Sequence, residues 1–203
     1  MKPFGPDTAF ILVDIQNDFC PGGALAVPGG DTIIPVVNRL SPLFRSIIAT
    51  MDWHPADHCS FKKQGGHWPP HCIQNTRGAS LHPALDVSRI SQYVRKAASR
   101  DRDEYSEFGG VDEQNRSLDG ILKEAGIATL YVAGLATDYC VRATVLDGLR
   151  LGYVVYAITD AMRPVEVHAG DGDRALQQMV AAGAWLVTSV DILAQREGST
   201  HAA

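Results

Sequence analysis

Short runs of apolar residues recur along the chain and are separated by segments with a different pattern. These runs cover residues 9–13, 46–50, 91–94, 128–132, 153–158 and 185–187. Apolar runs of this length, bounded by turn residues, are typical of strands that are buried on both faces of a sheet. The pattern therefore predicts six strands.

Apolar residues at helical spacing occupy several of the intervals between these strands. Three such sets cover residues 33–40, 118–125 and 176–180. Asp31 precedes the first set as a helix cap, whereas Gly126 and Gly183 end the other two. Alternating strands and helices predict an α/β fold, a three-layer α/β/α arrangement with a central, mostly parallel six-stranded sheet. We expect one domain over residues 1–203, because the chain shows no linker.

Residues 130–149 join the fourth predicted strand to a helical pattern through a turn that contains Cys140. The chain bends at Gly134, and Val141, Val145 and Leu149 then repeat every fourth position. In an open α/β sheet, ligands bind at the turns that follow the strands, and a helix N-terminus shifts a thiol toward thiolate. Cys140 is therefore a candidate nucleophile. The alternative is a buried thiol without chemistry.

Composition and charge exclude several classes of protein. The chain has a net charge of −5 with 45% hydrophobic and 20% charged residues, and no basic stripe that would bind nucleic acid. The first apolar run is too short to span a membrane, and no cleavage site follows it, so we expect a cytoplasmic protein without a membrane partner. The four cysteines are interpreted as reduced thiols, and Cys59 and Cys72 match no zinc-finger spacing. No glycine-rich phosphate-binding motif is present.

Two charged residues stand at strand ends, where they would meet Cys140. Asp14 ends the first strand, and it would accept the thiol proton if that strand lies beside the one before Cys140. A turn cap is the alternative for Asp14 and is the role assigned to Asp18. Lys96 lies just past the third strand, where its ammonium would stabilise both thiolate and carboxylate. Its alternative is ordinary surface charge, as for the charged run that follows it.

The irregular segment of residues 51–90 contains a carboxylate followed by several histidines. Asp52 and His54 lie two residues apart, so in an extended segment they share one face. His58 and His71 follow in the same segment. One carboxylate with several imidazoles suits Zn, Fe or Mn better than Ca or Mg. The alternative is a loop of solvated histidines.

Taken together, these motifs resemble one family. They are VDIQNDF, DWHPADH, WPPHC, the lysine before EYSEF, and GLATDYCV, and the likeness extends to DAMRPVEV and GDGDRALQQM. In this order they resemble the nicotinamidase (pyrazinamidase) branch of the isochorismatase-like cysteine hydrolases. The likeness covers nearly the whole chain, from about residue 9 to residue 189.

The resemblance implies roles for particular residues. It implies a catalytic triad of Asp14, Lys96 and Cys140. It implies metal ligands at Asp52, His54 and His71, with His58 as a further ligand found in part of the family. It also implies a cis peptide between Leu135 and Ala136, an oxyanion hole formed by the N–H groups of Ala136 and Cys140, and substrate-binding aromatic residues Phe19, Trp68 and Tyr105.

The resemblance implies an enzyme that deamidates nicotinamide to nicotinate and ammonia and that also accepts pyrazinamide. The reaction would pass through a thioester intermediate and would serve NAD salvage. The enzyme would use one divalent metal ion per chain and a small-molecule substrate, and a homo-oligomer is compatible with the sequence. Asn75 and Tyr139 stand at positions that bear on substrate preference. The alternatives are a related hydrolase for a different amide, a thiol redox sensor and a non-enzymatic metal-binding protein. A phosphatase is disfavoured because Leu146, not arginine, lies six residues after Cys140.

Overall fold

A computed structural model of the chain describes residues 5–199, with side chains as far as residue 194. Its centre is one six-stranded sheet. The strands are β1 Thr8–Val13, β2 Ser46–Asp52, β3 Gln92–Lys96, β4 Thr129–Leu135, β5 Val154–Arg163 and β6 Trp185–Val187, in the spatial order β3-β2-β1-β4-β5-β6. The six predicted strands are confirmed, and within the described residues every pairing in the sheet is parallel. The ends of the predicted domain, residues 1 and 203, lie outside the described residues.

Five α-helices pack on this sheet in the described part of the chain. They are α1 Ile34–Leu40, α2 Leu118–Glu124, α3 Arg142–Arg150, α4 Asp171–Ala181 and α5 Ser189–Ser199. Helix α4 begins before the predicted apolar set because the Glu166 carboxylate accepts hydrogen bonds from the N–H groups of Gly170 and Gly172, each at 2.8 Å. Helix α5 was not predicted from the apolar pattern.

The sheet is covered on both faces, which explains its continuous apolar strands. On β1, Phe10 and Leu12 belong to the hydrophobic cluster that includes α1 and α5. Ile11 and Val13 belong to the opposite cluster, which includes α2, α3 and α4. Successive side chains of a strand point to opposite faces, so both sets must be apolar when helices cover both. The predicted three-layer α/β/α architecture is therefore confirmed.

The order of the strands reverses between β1 and β4, and the candidate site lies at this reversal. The chain runs outward from β1 to β2 and β3, then returns to β4 on the other side of β1. Gly134 pairs with Val13 so closely that a β-carbon on Gly134 would lie 2.0 Å from the Val13 carbonyl oxygen. Only glycine fits there. The residues that follow β1 and β4 consequently meet where α/β sheets bind ligands.

Four strands, β2 to β5, extend further toward the carboxyl edge of the sheet than their apolar patterns predict. Strand β2 continues through Asp52 and β3 through Lys96, and these two residues are paired in the sheet. The irregular segment after β2 is folded back by isolated bridges between His54 and Ile73 and between Phe61 and Trp68. Among residues 5–199, no helix is long and apolar enough to cross a membrane.

Candidate active site

Lys96 lies at the centre of a buried group of charges at the carboxyl edge of the sheet. Its Nζ is 2.7 Å from Oδ2 of Asp14 and 3.2 Å from Oε1 of Glu107, and it also contacts Oδ1 of Asp52. Lys96 is 1% exposed. Burial opposes its charge, but the surrounding carboxylates outweigh burial and raise the pKa of Lys96 well above its usual value. The ammonium therefore remains charged, and the surface-charge alternative is excluded.

Asp14 is buried directly after β1 in a left-handed backbone conformation, with φ of +48°. Strained conformations of this kind cluster at functional sites. Burial raises the pKa of Asp14, and this effect exceeds the opposing attraction of Lys96. Its Oδ2 accepts a hydrogen bond from Nζ of Lys96, whereas Oδ1 has no hydrogen-bond partner. A buried carboxylate with raised proton affinity is well suited to accept a proton.

Cys140 lies in a π-helical turn, Thr137–Val141, between β4 and α3. Its Sγ and one carboxylate oxygen from each of Asp14 and Asp52 lie within 4.8 Å of one another. Burial raises the pKa of Cys140 well above its usual value, with Lys96 opposing and the carboxylates adding to the rise. The sequence-based prediction of a thiolate favoured by a helix N-terminus is therefore wrong for the resting site. A buried thiol of this kind needs a base beside it.

The turn before Cys140 has the backbone arrangement that the resemblance implies. The Leu135–Ala136 peptide is cis. The N–H groups of Tyr139 and Val141 both donate to the carbonyl oxygen of Ala136, at 3.1 Å. Ala136 and Cys140 line the same cavity. That the N–H groups of Ala136 and Cys140 form an oxyanion hole remains a prediction.

Asp52, His54 and His71 form a second buried group beside the first. Their ligand atoms lie within 4.8 Å of one another. Oδ2 of Asp52 is 3.4 Å from Nε2 of His54 and 3.8 Å from Nε2 of His71. Burial opposes ionisation of Asp52, but the adjacent Lys96, with His54 and His71 beside it, lowers the pKa of its carboxyl well below the usual value.

Backbone carbonyls orient the two histidines of this group. Nδ1 of His71 is 2.8 Å from the Pro69 carbonyl oxygen, and Nδ1 of His54 is 3.3 Å from that of Ala97. Each ring nitrogen that faces a carbonyl must carry the proton, so the Nε2 lone pairs point toward Asp52. One ionised carboxylate with two such imidazoles fits a divalent transition metal ion.

His58 is placed differently from the other predicted ligands. It is buried, and its ring packs against that of His54 with centroids 4.3 Å apart. Its Nδ1 is 2.8 Å from Oγ of Ser60, and its Nε2 is 3.0 Å from the Arg102 carbonyl oxygen. Because protein groups already contact both ring nitrogens, the structure does not add His58 to the three-residue group.

A cavity opens onto Cys140 and onto Asp52, His54 and His71. The predicted aromatic residues Phe19, Trp68 and Tyr105 line it, together with Tyr139. Nε1 of Trp68 donates to the Tyr105 hydroxyl at 3.0 Å, and the Trp68 ring meets Tyr139 edge-on at 4.9 Å. Cys140 lines the same cavity. Cys140 therefore lies in the wall of a cavity that is lined by several aromatic rings.

Glu107 is the member of the site that the sequence analysis missed. It lies in the charged run after β3, which was predicted to be solvated, yet it is 0% exposed. Its N–H donates to Oγ1 of Thr144 on α3 at 3.1 Å, which turns the carboxyl inward toward Lys96. No periodicity or spacing in the sequence distinguishes Glu107 from the exposed charged residues at positions 101–103 of the same run.

Fold and site together define a class of protein. It is an all-parallel α/β protein with a buried cysteine, carboxylate and lysine at the switch point of the sheet, and with a buried group of one carboxylate and two imidazoles beside them. The sequence profile of the Isochorismatase domain matches residues 8–191, and the chain belongs to this family. The predicted resemblance is confirmed.

Individual relatives are similar over most of their length. The nicotinamidase of Escherichia coli (strain K12) is 46% identical over 206 residues, covering 92% of this chain and 97% of that protein. PnC1 from L. infantum in complex with nicotinate has a TM-score of 0.86 at 35% identity, covering 93% of this chain and 96% of that one. Pyrazinamidase of Pyrococcus horikoshii in complex with zinc has a TM-score of 0.81 at 43% identity, covering 90% and 99%.

Proposed function

We propose that the protein is a metal-dependent cysteine amidohydrolase that converts nicotinamide to nicotinate and ammonia, and that also accepts pyrazinamide. The observation that carries this proposal is the buried Cys140, Asp14 and Lys96 group at the base of an aromatic cavity. The relatives named nicotinamidase and pyrazinamidase support it. In a cell the reaction would be a step of NAD salvage.

Cys140 acts as the nucleophile in this proposal, with Asp14 as its base. The thiol proton moves to Asp14 while Sγ attacks the amide carbon, and the N–H groups of Ala136 and Cys140 hold the oxyanion. The C–N bond then breaks, and Asp14 returns the proton to the departing ammonia. Asp14 next activates a water molecule that hydrolyses the thioester, which releases nicotinate and restores the thiol. Lys96 balances the charge of Asp14 throughout.

Asp52, His54 and His71 would hold one divalent metal ion, with Zn, Fe and Mn compatible with this set of donors. The ion would supply a coordination position for the ring nitrogen of a heteroaromatic amide. Phe19, Trp68 and Tyr105 would cover the ring, so that the amide carbon faces Cys140. The relative complexed with zinc supports this assignment.

We further propose that residues 1–203 form a single catalytic domain in the cytoplasm. The family match over residues 8–191 supports one domain. The four cysteines are free thiols, which is the usual state in that compartment. An isochorismatase-like hydrolase with a different amide substrate is the second candidate, because Tyr139 lines the cavity.

Nicotinamide and benzamide separate these two candidates. Benzamide has the same shape but no ring nitrogen, so it should enter the cavity without being held for attack. We expect kcat/KM for nicotinamide to exceed that for benzamide by about 100-fold or more, with pyrazinamide close to nicotinamide. Ammonia release is measured for each amide with the metal fully loaded, and again after chelation.

The comparison has two informative failures. No release of ammonia from nicotinamide by the metal-loaded protein would refute the proposed substrate. Equal kcat/KM for benzamide and nicotinamide would retain the hydrolase but refute recognition of the ring nitrogen.

His54→Ala and His71→Ala should each lower the bound metal to less than about half of one equivalent, because each removes one of three ligands. His67→Ala is the matched control, since His67 lies exposed in the same segment. Metal content is measured by elemental analysis after dialysis. Equal metal loss in all three variants would show nonspecific binding to a histidine-rich loop and would reject the assigned ligands.

A further inference from the structure

Two carboxyl groups in the buried charge group have oxygen atoms without a hydrogen-bond partner. Among the described buried side chains, Oδ1 of Asp14 and both oxygens of Glu107 have no hydrogen-bond partner. Oε1 of Glu107 is 3.2 Å from Nζ of Lys96, an ion-pair distance that does not meet hydrogen-bond geometry. Buried polar atoms are almost always paired, so these atoms need an explanation.

The charges of the same group point to one missing proton. Asp14, Asp52 and Glu107 surround the single ammonium of Lys96, and all four side chains are buried. Asp52 also belongs to the group with His54 and His71 that fits a metal ion, so Lys96 is left to balance both Asp14 and Glu107, and one positive charge is lacking. Burial, with Asp14 adding to it, raises the pKa of Glu107 well above its usual value. A neutral Glu107 removes one negative charge from the group and becomes a donor.

We propose that Glu107 is a positioning residue, a neutral carboxylic acid that donates its O–H to Oδ1 of Asp14 and fixes the carboxylate that accepts the Cys140 proton. This inference rests on the proposed function, because Glu107 acts only through Asp14. One hydrogen bond satisfies both the orphan oxygen of Asp14 and one oxygen of Glu107. Asp14 is then held from two sides, by Lys96 on Oδ2 and by Glu107 on Oδ1.

The backbone around Glu107 is built to hold this position. Glu107 begins a short 3-10 turn, Glu107–Gly109, and the Ser106 side chain caps it by accepting from the N–H of Phe108. The Glu107 N–H is bound to Thr144 of α3, the helix that follows the turn of Cys140. The acid is therefore anchored to the element that carries the nucleophile. Glu107 does not line the substrate cavity, so its removal should affect kcat and not KM.

Two substitutions test the donor role. Glu107→Gln keeps a neutral donor of the same shape, and its kcat should stay within about threefold of wild type. Glu107→Met keeps the length but removes the donor, and kcat should fall by about 10- to 100-fold, as for other groups that orient a reacting residue. KM for nicotinamide should change less than twofold in both. Glu113→Gln is the control, because Glu113 lies on the same segment with its side chain 73% exposed.

Infrared spectroscopy detects the proton on the Glu107 carboxyl without requiring catalytic turnover. The substrate-free wild type should show a carboxylic acid C=O band that disappears in Glu107→Gln. Absence of such a band, a Met variant as active as wild type, or a Gln variant as impaired as Met would each overturn the proposal. If Glu107→Met does not fold, the infrared comparison of wild type and Gln decides alone. Failure of the wild type to hydrolyse nicotinamide would refute the proposed function, while the band would still report on Glu107.

Discussion

Cys140→Ala is expected to lower kcat for nicotinamide by about 10⁴-fold or more while leaving the metal content unchanged. The loss is large because the proposed reaction proceeds through a bond to Sγ, and no other described thiol lines the cavity. Metal content should persist because Asp52, His54 and His71 lie on different segments from the turn of Cys140. Single-turnover ammonia release and elemental analysis on the same preparation measure both effects.

Cys140→Ser gives the sharper form of this test. The substitution preserves shape, but a buried hydroxyl is far less acidic than a thiol, so the activity should remain close to that of Cys140→Ala. Cys59→Ser serves as the control, since Cys59 is partly exposed and lies outside the cavity. Activity of Cys140→Ser near the wild-type level would reject a thiol nucleophile. Loss of metal in Cys140→Ala would instead show that the two buried groups form one site.

Asp14→Asn should reduce kcat by about 10³- to 10⁴-fold with little change in KM. The amide has the shape of the carboxylate and still accepts a hydrogen bond from Lys96, but it does not accept the thiol proton. Because the pKa of Cys140 is raised, the thiol does not ionise without this base. Steady-state kinetics and the rate of Cys140 alkylation by iodoacetamide should both fall. Asp31→Asn, at an exposed position, is the matched control.

The dependence on pH distinguishes a base from a structural residue. Burial raises the pKa of Asp14 above its usual 3.8, so wild-type kcat/KM should fall as the pH decreases through that raised value, where the carboxylate becomes protonated. The residual activity of Asp14→Asn should lack this acid limb. An Asn variant that keeps both the acid limb and the alkylation rate of wild type would assign proton transfer to another group.

The apolar pattern located the strands but did not predict the polar residues at their ends. The pattern placed all six strands, because a strand buried on both faces must be apolar throughout. It ended β2 to β5 early. For β2 and β3 the predicted ends were residues 50 and 94, whereas the strands continue through Asp52 and Lys96. Those residues are charged because they belong to the site, and their backbone is held in the sheet by neighbouring strands. Sequence periodicity does not detect such tertiary pairing.

The metal group shows the same division between local and tertiary information. The spacing of Asp52 and His54 predicted a shared face, and the structure brings both together with His71. His58 has the same side chain and lies in the same segment, but Ser60 and the Arg102 carbonyl contact its ring nitrogens. Arg102 follows β3, so no local pattern reveals this competition.

By itself, the sequence determined the α/β class, the order of the elements and the identity of Asp14, Cys140 and the histidine segment, because these depend on apolar periodicity and on contiguous motifs. Only the tertiary structure decided which charges these residues carry. The pKa of Cys140, Asp14 and Glu107 depends on burial and on carboxylates that approach from separate elements. For the same reason the sequence did not distinguish Glu107 from the exposed charged residues at positions 101–103 of the same run. Charge–charge energies depend on distance in space and on the local dielectric, and neither is encoded in sequence spacing.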